Sequence, residues 1–447
     1  MRPTLRQCVN APETRARLGA LAQGATPSAP VSLRLPLGKA TTDWLEFLPD
    51  GQPYWYRARP NRQEFRLGVG HALHIASAGP NRFAALDNAF AGVCQQWRHE
   101  GQAVAFAGFA FDTSAHLPLP NALLAIPVIL LECIDGHAWA TLTAPAGRLT
   151  ETLDECAQWL NRPPPRHRLG TPEWSPDRPE SLAEQAWIAR VKAALRDIAA
   201  GRLAKVVLSR NRRIDACARF DSSAILARLL EQQAADVIYA YGNGHQTFLG
   251  ASPERLVRLR DGRISVDALA GTTWPGAQDP LSGQKNRLEQ SLVVQSICQA
   301  LTPLCASRPA VGPLEERIAG RLAHLRNRIE AEVHPETRLF ELVRALHPTP
   351  AVGGFPAAAA QDWLAAHNEH RPGWYSGGIG LLTADGDGDF SVALRSALID
   401  GRTAELQAGA GIVAGSDPLH ELAETEAKLG TLLAALQPAG DRNSRIA

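Results

Sequence analysis

A glycine-rich segment, residues 409–418 (GAGIVAGSDP), constrains the fold of this chain more than any other part of the sequence. Ser416 or Asp417 suits the N-cap of a helix, and Pro418 suits the first turn of that helix. The glycines before them let the backbone approach a ligand closely, because they carry no side chain. The segment therefore predicts a tight turn that leads into a C-terminal helix.

Three charged residues follow on this predicted helix. Glu421 and Glu424 are three residues apart, and Lys428 lies four residues beyond Glu424, so all three share one face. Two carboxylates can bind a hard cation, and an ammonium group can bind an anionic ligand. The alternative is a solvated glutamate–lysine pair on a surface helix. The glycine-rich turn directly before the charged face favours the ligand site.

The composition is that of an ordinary soluble protein. The 447 residues are 45% hydrophobic and 20% charged, which allows about two or three domains or one large α/β unit. A net charge of +1 offers no field for nucleic acid or a membrane surface, so neither partner is expected. Seven scattered cysteines without a Cys-x-x-Cys pair, and no apolar stretch behind the N-terminal arginines, predict a cytoplasmic protein without a signal peptide.

The residue patterns divide the chain into two parts. Residues 1–165 form an N-terminal α/β part, in which the apolar run 123–131 predicts one buried strand. A proline-rich, charged stretch at 162–179 predicts a linker before a catalytic part at 180–437, and 438–447 is expected to be a disordered tail. Periodicity predicts helices at 283–304 and 315–331 and strands at 205–209, 264–270, 377–383, 390–398 and 404–413. Together these elements predict an α/β (α+β) protein with large mixed sheets and helices packed outside.

Two charged residues adjoin otherwise apolar runs. Lys205 begins the run KVVLS, where it is either an edge residue that reaches water or a buried functional amine. A desolvated lysine near another cation can act as a general base. Glu254 ends an apolar run at a proline turn. It is either a carboxylate in the first turn of a helix or, if buried, a proton donor.

Three further residues each have an ordinary and a functional interpretation. Glu289 begins a predicted helix, where it would face solvent, and His324 lies on the predicted helix at 315–331, where it would be a surface histidine. Arg395 lies inside the predicted strand at 390–398. A guanidinium among apolar residues usually has a carboxylate partner, from the protein or from a ligand.

Taken in order, a series of motifs resembles those of the chorismate-utilising enzymes, and of the isochorismate synthases within that family. The motifs are KVVLSR (205–210), ASPERL (251–256), ALAGT (268–272), HPTPAVGG (347–354), SVALRSA (391–397) and the glycine-rich turn with its charged helix. The resemblance covers residues 180–437 strongly and the N-terminal part loosely. It implies the fold of anthranilate synthase component I, with large mixed and antiparallel sheets packed as a sandwich and helices outside.

The resemblance also implies a reaction and a cofactor. The reaction is the Mg²⁺-dependent, reversible isomerisation of chorismate to isochorismate, by addition of water at C2 and loss of the C4 hydroxyl. Lys205 would be the general base and Glu254 the general acid. Glu289 and Glu424 would hold Mg²⁺, with Glu421 beside them. No glutamine amidotransferase partner is expected, and the protein is expected to be a monomer.

The substrate-binding positions implied by the resemblance fall into two groups. The pyruvyl carboxylate of chorismate would contact Tyr375, Arg395, Gly409 and Lys428. The ring would be lined by Gly271, Thr272, His324 and Ala351. Two positions near the expected ring pocket depart from the family pattern: Gln290 replaces a frequent histidine, and Thr273 replaces a frequent arginine.

Two positions bear on the choice of subfamily. Lys205 stands where the ammonia-using anthranilate synthases typically have glutamine, so the resemblance implies water as the nucleophile. Ala270 stands where aminodeoxychorismate synthases have lysine. Two rivals stay open: a salicylate synthase that also eliminates pyruvate, and a non-catalytic chorismate-binding subunit. Menaquinone, a catechol siderophore and salicylate are all open as the destination of the product.

Overall fold

The structure, a computed structural model, describes residues 2–113, 118–161, 172–173, 180–233, 236–275, 277 and 280–437. The expected tail at 438–447 lies outside these residues, as does most of the expected linker at 162–179. The helices are α1 (Arg2–Asn10), α2 (Pro12–Ala22), α3 (Arg82–Gln96), α4 (Leu149–Asn161), α5 (Glu180–Ala199), α6 (Ser222–Gln232), α7 (Gln284–Leu301), α8 (Leu339–Leu346), α9 (Ala357–Ala366) and α10 (Pro418–Leu436). Within the described ranges, no helix is long and apolar enough to cross a membrane.

The strands of the described residues form two large sheets. In chain order they are β1 (Pro30–Lys39), β2 (Pro53–Arg59), β3 (Glu64–Val69), β4 (Leu73–Ser77), β5 (Arg98–Glu100), β6 (Val104–Phe109), β7 (Ala122–Ile126), β8 (Ile129–Ile134), β9 (His137–Pro145), β10 (Pro172–Glu173), β11 (Lys205–Ala216), β12 (Val237–Asn243), β13 (Gln246–Ser252), β14 (Arg255–Arg260), β15 (Arg263–Thr273), β16 (Ala310–Val311), β17 (Glu315–Ala319), β18 (Leu322–Glu332), β19 (Gly354–Phe355), β20 (Gly378–Thr383), β21 (Gly388–Val392), β22 (Ser396–Asp400) and β23 (Thr403–Val413).

Both halves of the chain contribute strands to both sheets. The larger sheet has the order β10-β11-β23-β22-β13-β12-β2-β3-β8-β9-β1-β5, and β19 pairs with β11 at its side. The smaller sheet has the order β16-β18-β15-β14-β21-β20-β6-β7-β4, and β17 pairs with β18. The N-terminal strands β2 and β6 pair with the C-terminal strands β12 and β20. Residues 1–165 and 180–437 are therefore joined through the sheets.

The two sheets pack as a sandwich with helices on the outside. An aromatic cluster lies between them, in which the Trp55 ring lies 4.5 Å from Tyr241 and 5.6 Å from Trp374, centroid to centroid. On the far side of the larger sheet, α1, α2, α4, α6 and α10 share its hydrophobic core. The helices α3, α7 and α8 cover the smaller sheet in the same way. This arrangement confirms the predicted fold class.

The apolar run at 123–131 is two strands and not one. Pro127 separates β7 from β8, and the two strands belong to different sheets. Proline lacks the N–H that a central strand needs, so the run breaks there. The chain uses this break to cross from one sheet to the other.

The predicted helix at 315–331 is wrong, because these residues form the hairpin of β17 and β18. Gly320, with φ of 62°, supplies the left-handed conformation of the turn between the two strands. Along β18, Leu325, Asn327 and Ile329 are buried, whereas Arg328 between the last two is exposed. This period of two is that of a strand with one buried face.

The predicted strand at 390–398 is also interrupted. It divides into β21, which ends at Val392, and β22, which begins at Ser396. Arg395 lies in the break with φ of 48°, a conformation that is uncommon for any residue other than glycine. The position turns its guanidinium toward a cavity between the sheets.

Candidate active site

A cavity opens where β11, β15, β18 and β23 meet the start of α7 and the middle of α10. Glu254, the proposed general acid, and Glu289, a proposed metal ligand, line this cavity. Every substrate-binding position implied by the resemblance also lies on its wall: Gly271, Thr272, His324, Ala351, Tyr375, Arg395, Gly409 and Lys428. Residues that are far apart in the sequence therefore converge on one site.

The buried amine at this site belongs to Lys205. Its side chain is inaccessible to solvent, and its Nζ lies 2.8 Å from Glu289 Oε1. The other oxygen of Glu289 accepts a hydrogen bond of 3.1 Å from the backbone N–H of Gly271. Burial would raise the pKa of Glu289, but Lys205, Lys285 and Lys428 outweigh it and lower that pKa. The expectation that Glu289 faces solvent is wrong, because α7 packs on β15 and directs this carboxylate inward.

Glu254 follows Pro253 in the short link between β13 and β14, and it is 2% exposed. Burial, with a smaller contribution from Asp267, raises the pKa of Glu254 to about 8, although Lys205 and Lys428 partly offset the shift. Its Oε1 is buried without a hydrogen-bond partner. At neutral pH the side chain is therefore a protonated carboxyl group that can donate to a ligand in the cavity.

The charged face of α10 points into the protein. Asp417 is the N-cap of the helix, and its side chain accepts from backbone N–H groups at 3.0 and 2.9 Å. Glu421 is fully buried and pairs with Lys285, and Glu424 is 6% exposed and lies 2.6 Å from Lys428 Nζ. The alternative of a solvated surface pair is therefore wrong.

The chemistry of these carboxylates fits a hard divalent cation. Burial and the neighbouring charge of Glu424 raise the pKa of Glu421 to about 7, and its Oε2 is buried without a hydrogen-bond partner. A cation would relieve both costs, because it favours the carboxylate and binds the free oxygen. No three potential metal ligands among the described residues gather around one point. Each carboxylate is instead drawn toward a lysine: Glu289 to Lys205, Glu421 to Lys285 and Glu424 to Lys428.

Arg395 and His324, which both line the cavity, form a hydrogen-bonded unit. Arg395 Nη1 lies 3.1 Å from Asp236 Oδ2, which is the carboxylate partner expected for a buried guanidinium. Arg395 Nη2 donates to His324 Nε2 at 2.8 Å, so the histidine proton lies on Nδ1, which is 3.2 Å from Gly271 O and from Thr272 Oγ1. Burial, reinforced by Arg395, lowers the pKa of His324. The imidazole is therefore neutral, and it lies on β18 rather than on a surface helix.

Lys428 and Tyr375 border the glycines of β23. Lys428 Nζ donates to Gly409 O at 2.8 Å, and a Cβ built on Gly409 would lie 2.9 Å from Tyr375 Oη. The neighbouring loop that carries Ala351 is tied to β11, because Arg371 donates to Val352 O in the loop and to Val207 O in β11, at 2.6 and 2.7 Å. The ammonium of Lys428, the phenol of Tyr375 and the guanidinium of Arg395 therefore belong to residues that line the same cavity.

Several residues that shape the site have weak signals in the sequence. Lys285 and Asp236 hold Glu421 and Arg395, but they are 136 and 159 residues away from these partners. Gln290, a departure from the family pattern, donates at 2.9 Å to both Ala268 O and Asn327 Oδ1, so it ties α7 to β15 and β18.

The sequence of this chain is similar to those of known proteins. Residues 22–437 match a family model described as chorismate binding enzyme. The chain is 33% identical over 411 residues to the salicylate biosynthesis isochorismate synthase of Pseudomonas aeruginosa, which covers 87% of this chain and 86% of that protein. The chain belongs to the chorismate-binding enzyme family.

Two solved structures are similar to this one. MenF, the menaquinone-specific isochorismate synthase from Escherichia coli, has a TM-score of 0.80 and 26% identity, with 97% of this chain and 100% of that chain covered. Anthranilate synthase component I from Streptococcus pneumoniae has a TM-score of 0.69 and 20% identity, with 83% and 92% covered. The second likeness concerns the fold alone, and it confirms the fold implied by the sequence motifs.

Proposed function

We propose that this protein is an isochorismate synthase, which isomerises chorismate to isochorismate by adding water at C2 and releasing the C4 hydroxyl as water. The observation that carries the proposal is a protonated carboxyl, Glu254, on the wall of the same cavity as Glu289, whose carboxylate pairs with the buried amine of Lys205. Relatives named as isochorismate synthases support the same reaction.

The cavity suits a small dianion with an unsaturated ring. Arg395, Tyr375 and Lys428 border the part of the wall where a pyruvyl carboxylate would bind, and an arginine fork is well matched to a carboxylate. Neutral His324 and the backbone at Gly271 would line the ring. Binding holds the substrate in a fixed orientation between the two catalytic groups. This positioning lowers the entropic part of the activation barrier, which is a large part of catalysis.

Acid and base act on different carbons of the ring. Glu254 gives its proton to the C4 hydroxyl, which leaves as water, and the ring double bonds shift. Lys205, in its neutral amine form, accepts a proton from the water that attacks C2 and becomes an ammonium group. One water is consumed and one is released, and a proton moves from Glu254 to the leaving group while another reaches Lys205. Lys205 then releases a proton to solvent and Glu254 takes one up, so both groups return to their starting protonation states.

Mg²⁺ is the cofactor that fits this site. Glu289 and Glu424 would hold it, with Glu421 beside them. When bound, the ion would neutralise these carboxylates and hold the ring carboxylate of chorismate.

The product of the purified protein tests the proposal. Incubation with chorismate and Mg²⁺, followed by chromatography, is expected to give isochorismate as the only new product. Salicylate as the main product would indicate a salicylate synthase instead. Absence of turnover by the isolated chain would indicate a non-catalytic chorismate-binding subunit. We also propose that the protein is a monomer and that it acts in the cytoplasm without an amidotransferase partner.

Replacing Glu424 by glutamine should weaken the response to metal. We expect Glu424→Gln to raise the Mg²⁺ concentration for half-maximal rate by at least about tenfold, because the substitution removes a negatively charged ligand. Glu426→Gln is the matched control, since Glu426 lies on the same helix but pairs with Arg210 and Arg212. Equal Mg²⁺ dependence in the two variants would contradict the ligand assignment.

Replacing Gly411 by alanine should disturb the catalytic pair directly. A Cβ there would meet Glu289 Oε1 and would lie 2.9 Å from Lys205 Cε. We expect Gly411→Ala to reduce kcat/KM by at least about tenfold, since displaced catalytic groups lose their orientation. Gly430→Ala, on α10 with open space around it, should keep full activity and gain about 0.5–1 kcal/mol of stability. Full activity in Gly411→Ala would show that the pair tolerates displacement.

A further inference from the structure

A second cavity shares Glu254 and Pro253 with the first. It lies between the end of β2 in the larger sheet and the strands β14, β17 and β18 of the smaller sheet. Its wall is unusually basic and carries the arginines Arg59, Arg62, Arg255, Arg317, Arg326 and Arg328. Nothing in the proposed reaction uses these six side chains.

The acidic residues around this cavity do not balance its arginines. Asp236 and Asp267 are the carboxylates on its wall besides Glu254, which is protonated at neutral pH. Some of the arginines have acidic partners outside the wall, as Arg59 has in Asp389 and Arg326 has in Glu315. The wall itself retains an excess of positive charge.

The hydrogen-bonding capacity of the wall is also incompletely used. The Nε atoms of Arg255 and Arg326 are buried without a hydrogen-bond partner. Arg62 and Arg328 are exposed, so their charged ends are available to a solute. A buried polar atom without a partner is costly, and a guanidinium fork matches the oxygens of a carboxylate or a phosphate.

We infer that this arginine cavity is a binding site for a small, multiply charged oxyanion, of the phosphate or dicarboxylate class, and that it adjoins the chorismate site. Several guanidinium groups from separate strands can then act on one ligand at once. Monovalent chloride has neither the charge nor the oxygen pairs to use them. The site is thus distinct from the place where the first cavity receives its substrate.

Three structural links connect the two cavities. Glu254 lines both of them. Asp236 lies between Arg395 of the first cavity, at 3.1 Å, and Arg317 of the second, at 3.5 Å. The strand β18 carries His324 toward the first cavity and Arg326, two residues along on the same face, toward the second. A ligand in the arginine cavity is therefore placed to act on the acid group.

A bound oxyanion should also affect turnover, and this effect rests on the proposed function, whereas the binding itself does not. When Glu254 donates its proton it becomes a carboxylate, and a bound oxyanion in the adjoining cavity repels that negative charge. Phosphate is therefore expected to lower kcat severalfold without raising KM for chorismate, whereas an anion that competes in the first cavity would raise KM.

Binding is measured first, without metal and without chorismate. Titration calorimetry of the whole protein with inorganic phosphate, and separately with succinate, is carried out at an ionic strength held constant with sodium chloride. Arg328→Gln should bind at least about tenfold more weakly, which is the effect of about 1.4 kcal/mol from one lost charged hydrogen bond. Arg260→Gln is the matched control, because Arg260 is an exposed arginine on β14 outside the cavity wall.

The two probes identify the class of ligand. Tighter binding of phosphate indicates the phosphate class, and tighter binding of succinate indicates the dicarboxylate class. Absence of binding by either probe above the sodium chloride background would overturn the inference. So would equal binding by Arg328→Gln and Arg260→Gln. Because calorimetry does not depend on turnover, a protein that binds phosphate but converts no chorismate would refute the proposed function and leave the anion site intact.

Discussion

Lys205→Met is expected to lower the turnover of chorismate by about 10²–10⁴-fold, the usual contribution of a positioned general base. Methionine keeps the length of the side chain and removes the amine, so no large cavity is created. Chorismate binding in the presence of Mg²⁺ should persist, because the groups around the pyruvyl carboxylate are untouched. Rates are measured by product chromatography, and binding by equilibrium dialysis.

Loss of fold and loss of chemistry can be separated at Lys205. Removing the amine leaves Glu289 as a largely buried charge without its ion-pair partner, and breaking a buried pair costs about 3–5 kcal/mol. The double variant Lys205→Met with Glu289→Gln should recover much of that stability and stay inactive. Lys192→Met, an exposed lysine of α5, should match the unaltered protein in both respects. Near-normal turnover by Lys205→Met would remove this residue as the base.

Glu254→Gln is expected to change activity and stability in opposite directions. Glutamine cannot protonate the leaving hydroxyl, so kcat should fall by about 10²–10⁴-fold. The amide has similar shape and no charge to bury, so the free energy of unfolding should increase above that of the unaltered protein. Glu330→Gln, at an exposed position on β18, is the matched control for both measurements.

The stability gain of Glu254→Gln should depend on pH in a defined direction. Burial raises the pKa of Glu254 from 4.5 to about 8, so the folded state keeps a proton that the unfolded state has lost. This group therefore reduces stability as pH rises between these two values and has no further effect above them. The advantage of Glu254→Gln should grow over the same range to a few kcal/mol, at about 1.4 kcal/mol per pKa unit. Urea unfolding at about pH 5 and about pH 8 measures it. An advantage that is equal at both would contradict a protonated Glu254.

The site residues could be found from local sequence because each lies in a distinctive short motif. The glycine-rich turn and Asp417 specify the start of α10, and the spacing of Glu421, Glu424 and Lys428 specifies their common face. A lysine that opens an apolar strand, as Lys205 does, is unusual enough to notice without a structure. Their roles in catalysis came from the resemblance to a family and remain proposals.

The region at 315–331 misled sequence reasoning for a physical reason. Leu322, Leu325 and Ile329 are three and four residues apart, which is the spacing of a helix face. The true period of two was hidden because Asn327, a polar residue, occupies a buried strand position. It can do so because Gln290 donates to its Oδ1 at 2.9 Å, a contact with another element that no local pattern reveals.

Long-range partners explain the other differences. Arg395 interrupts a strand because its guanidinium is held by Asp236 and Ala319 O, residues that lie far from it in the chain. Glu289 turns inward because β11 brings Lys205 beside it. Periodicity reports which face of an element is buried, and it carries no information about which charged residues meet across the sandwich.

Oxygen-18 labelling tests the central claim, that this cavity adds a water molecule to one ring carbon while it releases the hydroxyl of another. Purified protein is incubated with chorismate and Mg²⁺ in water enriched in oxygen-18, and the product is analysed by mass spectrometry. We expect isochorismate that carries one labelled oxygen, on C2, and we expect the amount of this product to fall by orders of magnitude in Lys205→Met and Glu254→Gln. Unlabelled isochorismate, formed by internal transfer of the original hydroxyl, would contradict it.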